Sequence, residues 1–334
     1  MRFFVISIKK YFFTIIFMIF TISLLLFSNN NLIAAQNGLV LWAKSVFPSL
    51  FPFFVATELL CQTNFIYILG RALNRFMKPI FNVPGESAAA VILGTISGYP
   101  VGAKVVVNLK NQKIISKIEA ERLIAFTNNS GPLFILGTVG IAMLKSPQIG
   151  YILLLSHILA SLTVGYLFSF WKKNKFDINF RETKFNSKLA PIKISDFGEI
   201  LGNAIKKSIF SLLSIGGFIV FFSVILSILE TSGILEIIST TLYAFGIPKN
   251  ISKCFITGVI EMTNGLNLTS NLYNVLPNFT LLLISFLLGF GGISVLFQVY
   301  SMIAKENISI KPYFYGKLLQ GFLSVIFTSI FIFL

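Results

Sequence analysis

The chain has 334 residues, 55% of them hydrophobic and 12% charged, with a net charge of +15 at pH 7. A water-soluble domain carries about a quarter charged residues, so the composition excludes an ordinary soluble enzyme and predicts an all-α polytopic membrane protein. No ten-residue alternation recurs to build a membrane β-barrel, and the positive charge comes without the basic motif or aromatic platform that nucleic-acid binding needs.

Arg2, Lys9 and Lys10 precede the apolar run Tyr11–Phe27. Its length suits a retained first transmembrane helix, within residues 1–36, better than a signal-peptide core. Residues 37–62 contain Pro48 and Pro52, which predict a kink. Residues 64–81 mix Arg71, Arg75 and Lys78 with apolar residues at helical spacing, the pattern of an amphipathic interfacial helix. Residues 86–109 are apolar but broken at Ser97-Gly98-Tyr99-Pro100-Val101-Gly102. Residues 114–126 are amphipathic, and 132–144 and 150–171 are spanning candidates. The most polar stretch, within 172–206, reads as a basic cytoplasmic loop. Beyond it, 208–229 is apolar and 231–245 moderately so; 251–270 is broken at Glu261-Met262-Thr263-Asn264-Gly265. Residues 276–303 and 313–334 are the last apolar runs.

An offset of 164 residues lays one half on the other: Phe81-Asn82-Val83-Pro84 falls on Phe245-Gly246-Ile247-Pro248, Gly94 on Gly258, Phe126 on Phe290 and Ser130 on Ser294. The two broken segments then coincide. The predicted architecture is about seven transmembrane helices plus two re-entrant helical hairpins in an inverted repeat, with units at 37–171 and 207–334. Three full spans in the first unit invert the second. With the N-terminus inside, 23 Lys and Arg fall on cytoplasmic segments and 4 outside, as the positive-inside rule requires. That inside set includes Lys305, Lys311 and Lys317.

Paired interrupted segments in an inverted repeat are a transporter pattern. Unwound backbone is tolerated at membrane depth only where it is buried in protein or lines a polar cavity, and there it can bind a ligand. The candidate substrate-binding residues are therefore Ser97, Gly98, Tyr99, Pro100, Gly102 and Lys104 in the first hairpin, and Asn128, Asn129 and Ser130 before the next span. Thr263, Asn264 and Gly265 in the second hairpin and Gln298 complete the set. Lys104 can pair with an anionic cargo or reach the interface. Asn128, Asn129 and Ser130 can cap the helix that Pro132 starts, line the cavity, or both. Glu261, a carboxylate in an apolar segment, is the candidate coupling-ion site for a proton or sodium; a paired structural carboxylate is the alternative. His157 reads as an interhelical hydrogen-bonded residue. Two cysteines and one histidine offer no metal cluster, and no hydrolase or nucleotide-binding motif occurs. No cofactor and no enzymatic activity are expected.

Val46-Phe47-Pro48-Ser49-Leu50-Phe51-Pro52-Phe53-Phe54, Ser97 through Lys104, Glu119-Ala120-Glu121-Arg122-Leu123, Phe126 through Phe134 and Glu261 through Gly265 together resemble the YlbJ-type sporulation integral membrane proteins. That family lies in the nucleoside-recognition, or Gate, group. Val101 and Gly131 stand where the family pattern often has Ala and Asn. The resemblance implies a sporulation transporter, in the cell membrane or outer forespore membrane, that moves dipicolinic acid from mother cell to forespore. Dipicolinate is a small aromatic dianion at neutral pH. A nucleoside or metal-ion transporter of the same group, or a spore-envelope assembly factor that transports nothing, are the alternatives. Some members of the group oligomerise, so a homo-oligomer joins the small anion and the lipid bilayer among the expected partners. Ser97, Tyr99 and Lys104 suit the anion, and Glu261 and Asn264 a proton or cation.

Overall fold

The computed structural model describes residues 2–172 and 196–333, with side chains from Tyr11 onward. Every regular element among them is helical. Five helical runs are long and apolar enough to cross a bilayer: Ser28–Cys61, Pro147–Phe168, Phe197–Thr231, Pro277–Glu306 and Lys311–Phe333. A bent pair, Phe65–Phe81 and Gly85–Ser97, meeting at 92°, makes six when it is taken as one span. Tyr11–Leu26, Phe134–Met143 and Ile234–Ala244 are apolar but shorter. At a rise of about 1.5 Å per residue the latter two fall short of a bilayer core of about 30 Å, whereas Tyr11–Leu26 is part of the 25-residue helix Arg2–Leu26.

The N-terminal helix α1 (Arg2–Leu26) leads into α2 (Ser28–Leu41), and α2 continues through a π-helical turn, Trp42–Val46, into α3 (Phe47–Cys61). The boundary expected at 36/37 therefore falls inside one helical run. The wide turn lies directly before Pro48 and has Phe47 N–H bonded to Trp42 O, five residues back. It accommodates the missing proline donors without breaking the helix. Trp42 Nε1 donates to Leu212 O at 3.1 Å and fastens this run to α9 (Phe197–Thr231). Helix α9 begins at Phe197, inside the stretch 172–206 expected as a basic loop. Residues 173–195 lie outside the described residues.

Helix α4 (Phe65–Phe76) is the expected amphipathic segment. Beyond it, α5 (Ala88–Ser97) and α6 (Val101–Asn111) fold back on each other around Gly98, whose φ is +83°. The hairpin closes because its arms lack side chains where they meet: a Cβ on Gly94 would lie 2.8 Å from Gly102 Cα. Both glycines also face the carbonyl of Thr127, which would sit 1.9 and 2.1 Å from their Cβ atoms. The short α7 (Lys117–Ile124) starts at a capping box formed by Ser116 and Glu119. Buried, non-helical Thr127–Gly131 then leads into the π-helix Phe134–Met143 and on to α8 (Pro147–Phe168).

After α10 (Ile234–Ala244) comes the second hairpin, α11 (Lys249–Ile260) and α12 (Met262–Ser270), broken at Glu261. Its arms also meet at glycine: a Cβ on Gly265 would lie 2.0 Å from Gly258 Cα. The long run near the C-terminus is not one helix. It is α13 (Pro277–Phe290) and α14 (Gly292–Ile303), parted at Gly291 and Gly292, whose φ values are +82° and +80°. Sequence offset alone had already placed Phe290 on Phe126, each just before a break. Helix α15 (Lys311–Phe333) packs between α13 and α8. Lys317 on it is buried, 1% exposed, facing other helices. This corrects its assignment to a cytoplasmic segment: hydropathy placed it near a chain turn, but α15 already includes it.

The candidate transport site between the two hairpins

Thr127–Gly131 is unwound yet fully buried, so its polar groups must be met from within the protein. Asn129 Nδ2 donates to Phe126 O at 2.8 Å and to Ser161 Oγ at 3.0 Å. Its Oδ1 accepts from Gln320 Nε2 at 2.9 Å. Ser130 N–H donates to His157 Nε2 at 3.2 Å, and Gln320 Nε2 approaches the same nitrogen at 3.4 Å. Two N–H groups directed at Nε2 make it the unprotonated nitrogen of the ring. Asn128 reaches Tyr313 OH at 3.4 Å, while its Oδ1 has no partner among the described residues.

This segment holds the first hairpin tip. A Cβ on Gly98 would lie 3.0 Å from Gly131 N. Tyr99 OH hydrogen-bonds to Ser130 Oγ and reaches Met262 Sδ of the second hairpin at 3.0 Å. Ser97 pairs with Thr57 at 2.5 Å. Pro100 is buried and starts α6.

At the second tip Glu261 is 1% exposed. Its backbone is extended, and its carboxylate accepts Asn264 N–H at 2.7 Å, capping α12. The side chain of Asn264 donates to Ser223 Oγ on α9 at 2.8 Å. The carboxylate thus holds one of the amide donors that every helix start leaves open.

Tyr99, Glu261, Met262, Thr263, Gly131 and Gln298 line one cavity, with apolar walls from Val46, Leu50, Phe134, Ile215, Ile219 and Val295. It encloses about 30 Å³, room for about two waters. Beyond the second tip lies a wider vestibule of about 590 Å³, within the usual range of a ligand pocket. Asn30, Asn37, Asn264, Asn267 and Asn271 line it, with hydroxyls from Ser223, Ser227, Thr231 and Thr257. Met262 and Thr263 line this narrow cavity and Asn264 the vestibule, so the tip of the second hairpin lies between the two.

Several expected site residues are thereby brought together: Tyr99, Glu261, Thr263 and Gln298 at the cavity, with Ser130 and Asn129 directly behind it. Lys104 is elsewhere. It forms an ion pair with Glu58 beside a smaller cavity that includes Thr57 and Asn108. Gly102 and Gly265 serve close packing of the hairpin arms. Sequence reading missed Lys317 and Gln320, which share a helix face three residues apart. Lys317 Nζ donates to Gln320 Oε1 at 2.7 Å and to Asn129 Oδ1 at 3.5 Å. It also missed Asn30 and Asn37, which line the vestibule from a helix that otherwise reads as a membrane anchor.

Comparison with known proteins places the chain in a family. Residues 43–146, which contain the first hairpin and the unwound segment, match the Gate family, described as nucleoside recognition. The sporulation integral membrane protein YlbJ of Bacillus subtilis strain 168 is 35% identical over 312 residues, covering 89% of this chain and 76% of that protein. The chain belongs to the YlbJ family. It is an integral membrane protein of sporulation, in a transporter-like group. No solved structure matches the chain.

Proposed function

We propose that this YlbJ-family protein carries dipicolinate from the mother cell into the forespore across the outer forespore membrane, by alternating access at the cavity between the hairpin tips. The observation that carries this reading is the meeting of the two interrupted segments. Tyr99 of one hairpin touches Met262 of the other, and residues from both line a single buried space. The division into Gate-like units 37–171 and 207–334, oppositely oriented, belongs to the same proposal. With the N-terminus in the cytoplasm, the vestibule opens on the far side, and the narrow cavity must widen to admit an aromatic ring.

The donors suit a carboxylate cargo. Tyr99, Ser130, Thr263 and Gln298 offer hydroxyl and amide hydrogens, and the start of α12 adds backbone N–H groups with a partial positive charge. Glu261 now occupies that helix start. A proton or sodium ion on its carboxylate weakens the cap and frees the N–H groups for the cargo. Coupling ion and cargo then enter together, and neither alone is favoured: a dianion beside an ionised Glu261 is repelled. The group's other cargo class, nucleosides, is the second reading, supported by the Gate match and by the cavity's neutral hydrogen-bonding groups beside apolar walls. Neither reading gives the protein an enzymatic step.

The test is spore dipicolinate content in a strain whose own copy is replaced by Glu261→Gln or Tyr99→Phe, with membrane levels of each protein matched. The proposal expects a large loss of spore dipicolinate in both. Normal content in both sinks it.

A further inference from the structure

We infer that Lys317 is the residue that makes the transport site prefer a dianion over a neutral analogue of the same shape; the inference rests on the dipicolinate reading above. Four half-buried lysines of the described residues are paired with carboxylates, Lys253 with Glu230 among them, while half-buried Lys117 bonds Asn307 Oδ1 at 3.2 Å. Lys104 pairs with Glu58, Lys172 with Glu121 at 2.6 Å and Lys110 with Glu306 at 3.9 Å. Lys317 is more buried than any of these, and no described carboxylate lies within 4 Å of its ammonium. Its hydrogen bonds go to the neutral oxygens of Gln320 and Asn129.

Among the described residues, the carboxylates on the elements packed against it are already engaged: Glu119 caps α7 and Glu121 pairs with Lys172. Helix α8 presents His157, whose Nε2 is already an acceptor for two N–H groups. Helix α13 has no ionisable side chain. On α7, Glu121 is bonded to Lys172 and Trp171, and Arg122 to backbone oxygens of Asn82 and Trp171. Tyr313, on α15 itself, meets Asn128.

A buried cation without a counter-charge is costly, and within a membrane span such a residue marks function by default. The missing counter-charge is the cargo. Lys317 is connected to the cavity by a short chain of contacts: its ammonium meets Asn129, the adjacent Ser130 bonds to Tyr99, and Tyr99 and Gly131 line the wall. In a water-poor interior the field of one ammonium acts across that depth. A dicarboxylate gains from it and a dicarboxamide does not. Gln320 and Asn129 hold the ammonium in place with neutral oxygens and leave its charge uncancelled.

The experiment measures binding of dipicolinate and of pyridine-2,6-dicarboxamide to the purified full chain in nanodiscs. Wild type is compared with Lys317→Gln, Lys317→Arg and Gln320→Glu, and Lys249→Gln serves as a surface-charge control. Gln320→Glu keeps the shape of the site but sets a carboxylate beside the ammonium, so it cancels the charge without removing the lysine. The expected result is a preference for the dianion in wild type, Lys317→Arg and the control. In both Lys317→Gln and Gln320→Glu the preference falls by on the order of tenfold or more. Retention of the preference in those two variants overturns the role of Lys317 and leaves the dipicolinate reading standing. Failure of wild type to bind dipicolinate removes that reading, and this inference with it.

Discussion

Gly265→Ala tests how the second hairpin is closed. The added Cβ would lie 2.0 Å from Gly258 Cα and 2.5 Å from Gly258 N. Carbon atoms in contact sit about 3.5–4.0 Å apart, so the arms must separate by roughly 1.5–2 Å. Both atoms met are backbone, with no flexible side-chain end to yield. Overpacking of a dense interior costs about 1–3 kcal/mol, and the rigid neighbours put this substitution at the upper end. For a chain of this size that corresponds to a fall of about 5 °C in melting temperature. Gly217→Ala is the matched control, since nothing lies within 4 Å of a Cβ there and alanine favours the helix. Size-exclusion chromatography of detergent-solubilised protein after a heating series reads both. A Gly265→Ala protein that melts with or above Gly217→Ala would refute the glycine-closed hairpin.

Other outcomes follow from neighbouring contacts. His157→Leu removes the acceptor of Ser130 N–H, leaving a buried donor unmet at a cost of about 1–3 kcal/mol; the same heating series should show a lowered midpoint, and an unchanged one contradicts the assignment. A cysteine placed within 173–195, in a chain freed of Cys61 and Cys254, should react with an impermeant thiol reagent only from the cytoplasmic side; labelling from outside rejects the inverted orientation. Glu236 on exposed α10 is held below the usual carboxylate range by the Lys249 ammonium at 2.5 Å. A depressed native value makes its contribution present at neutral pH and lost as pH falls through that value. The stability difference between wild type and Glu236→Gln should therefore vanish on acidification, and a difference that grows in acid would contradict the pairing.

The class of fold was legible because composition and hydropathy act on every residue at once. The two hairpin breaks were legible for a local reason: Gly98, Pro100 and Glu261 each interrupt an apolar run in a way a helix interior rejects. The break at Gly291 and Gly292 was not, since glycine in an apolar span reads equally well as a packing notch, and only their positive φ separates the two uses. The cap made by Glu261 was hidden because it depends on the extended backbone at that residue. Lys317 was misplaced because it lies four residues inside the last apolar run, 313–334, and was counted with Lys305 and Lys311 just before it. Its burial follows from α15 packing between α8 and α13, which no local pattern encodes. The helical run through 36/37 was obscured by Ser28, Asn29, Asn30, Asn31, Gln36 and Asn37, which end the first apolar run without ending the helix.

Uptake into proteoliposomes tests most directly whether the paired tips form a transport site for a small aromatic dianion. Vesicles holding the purified chain should accumulate labelled dipicolinate above empty vesicles, and Glu261→Gln should abolish the gain. Accumulation of labelled nucleoside with none of dipicolinate would contradict the account and favour the second reading.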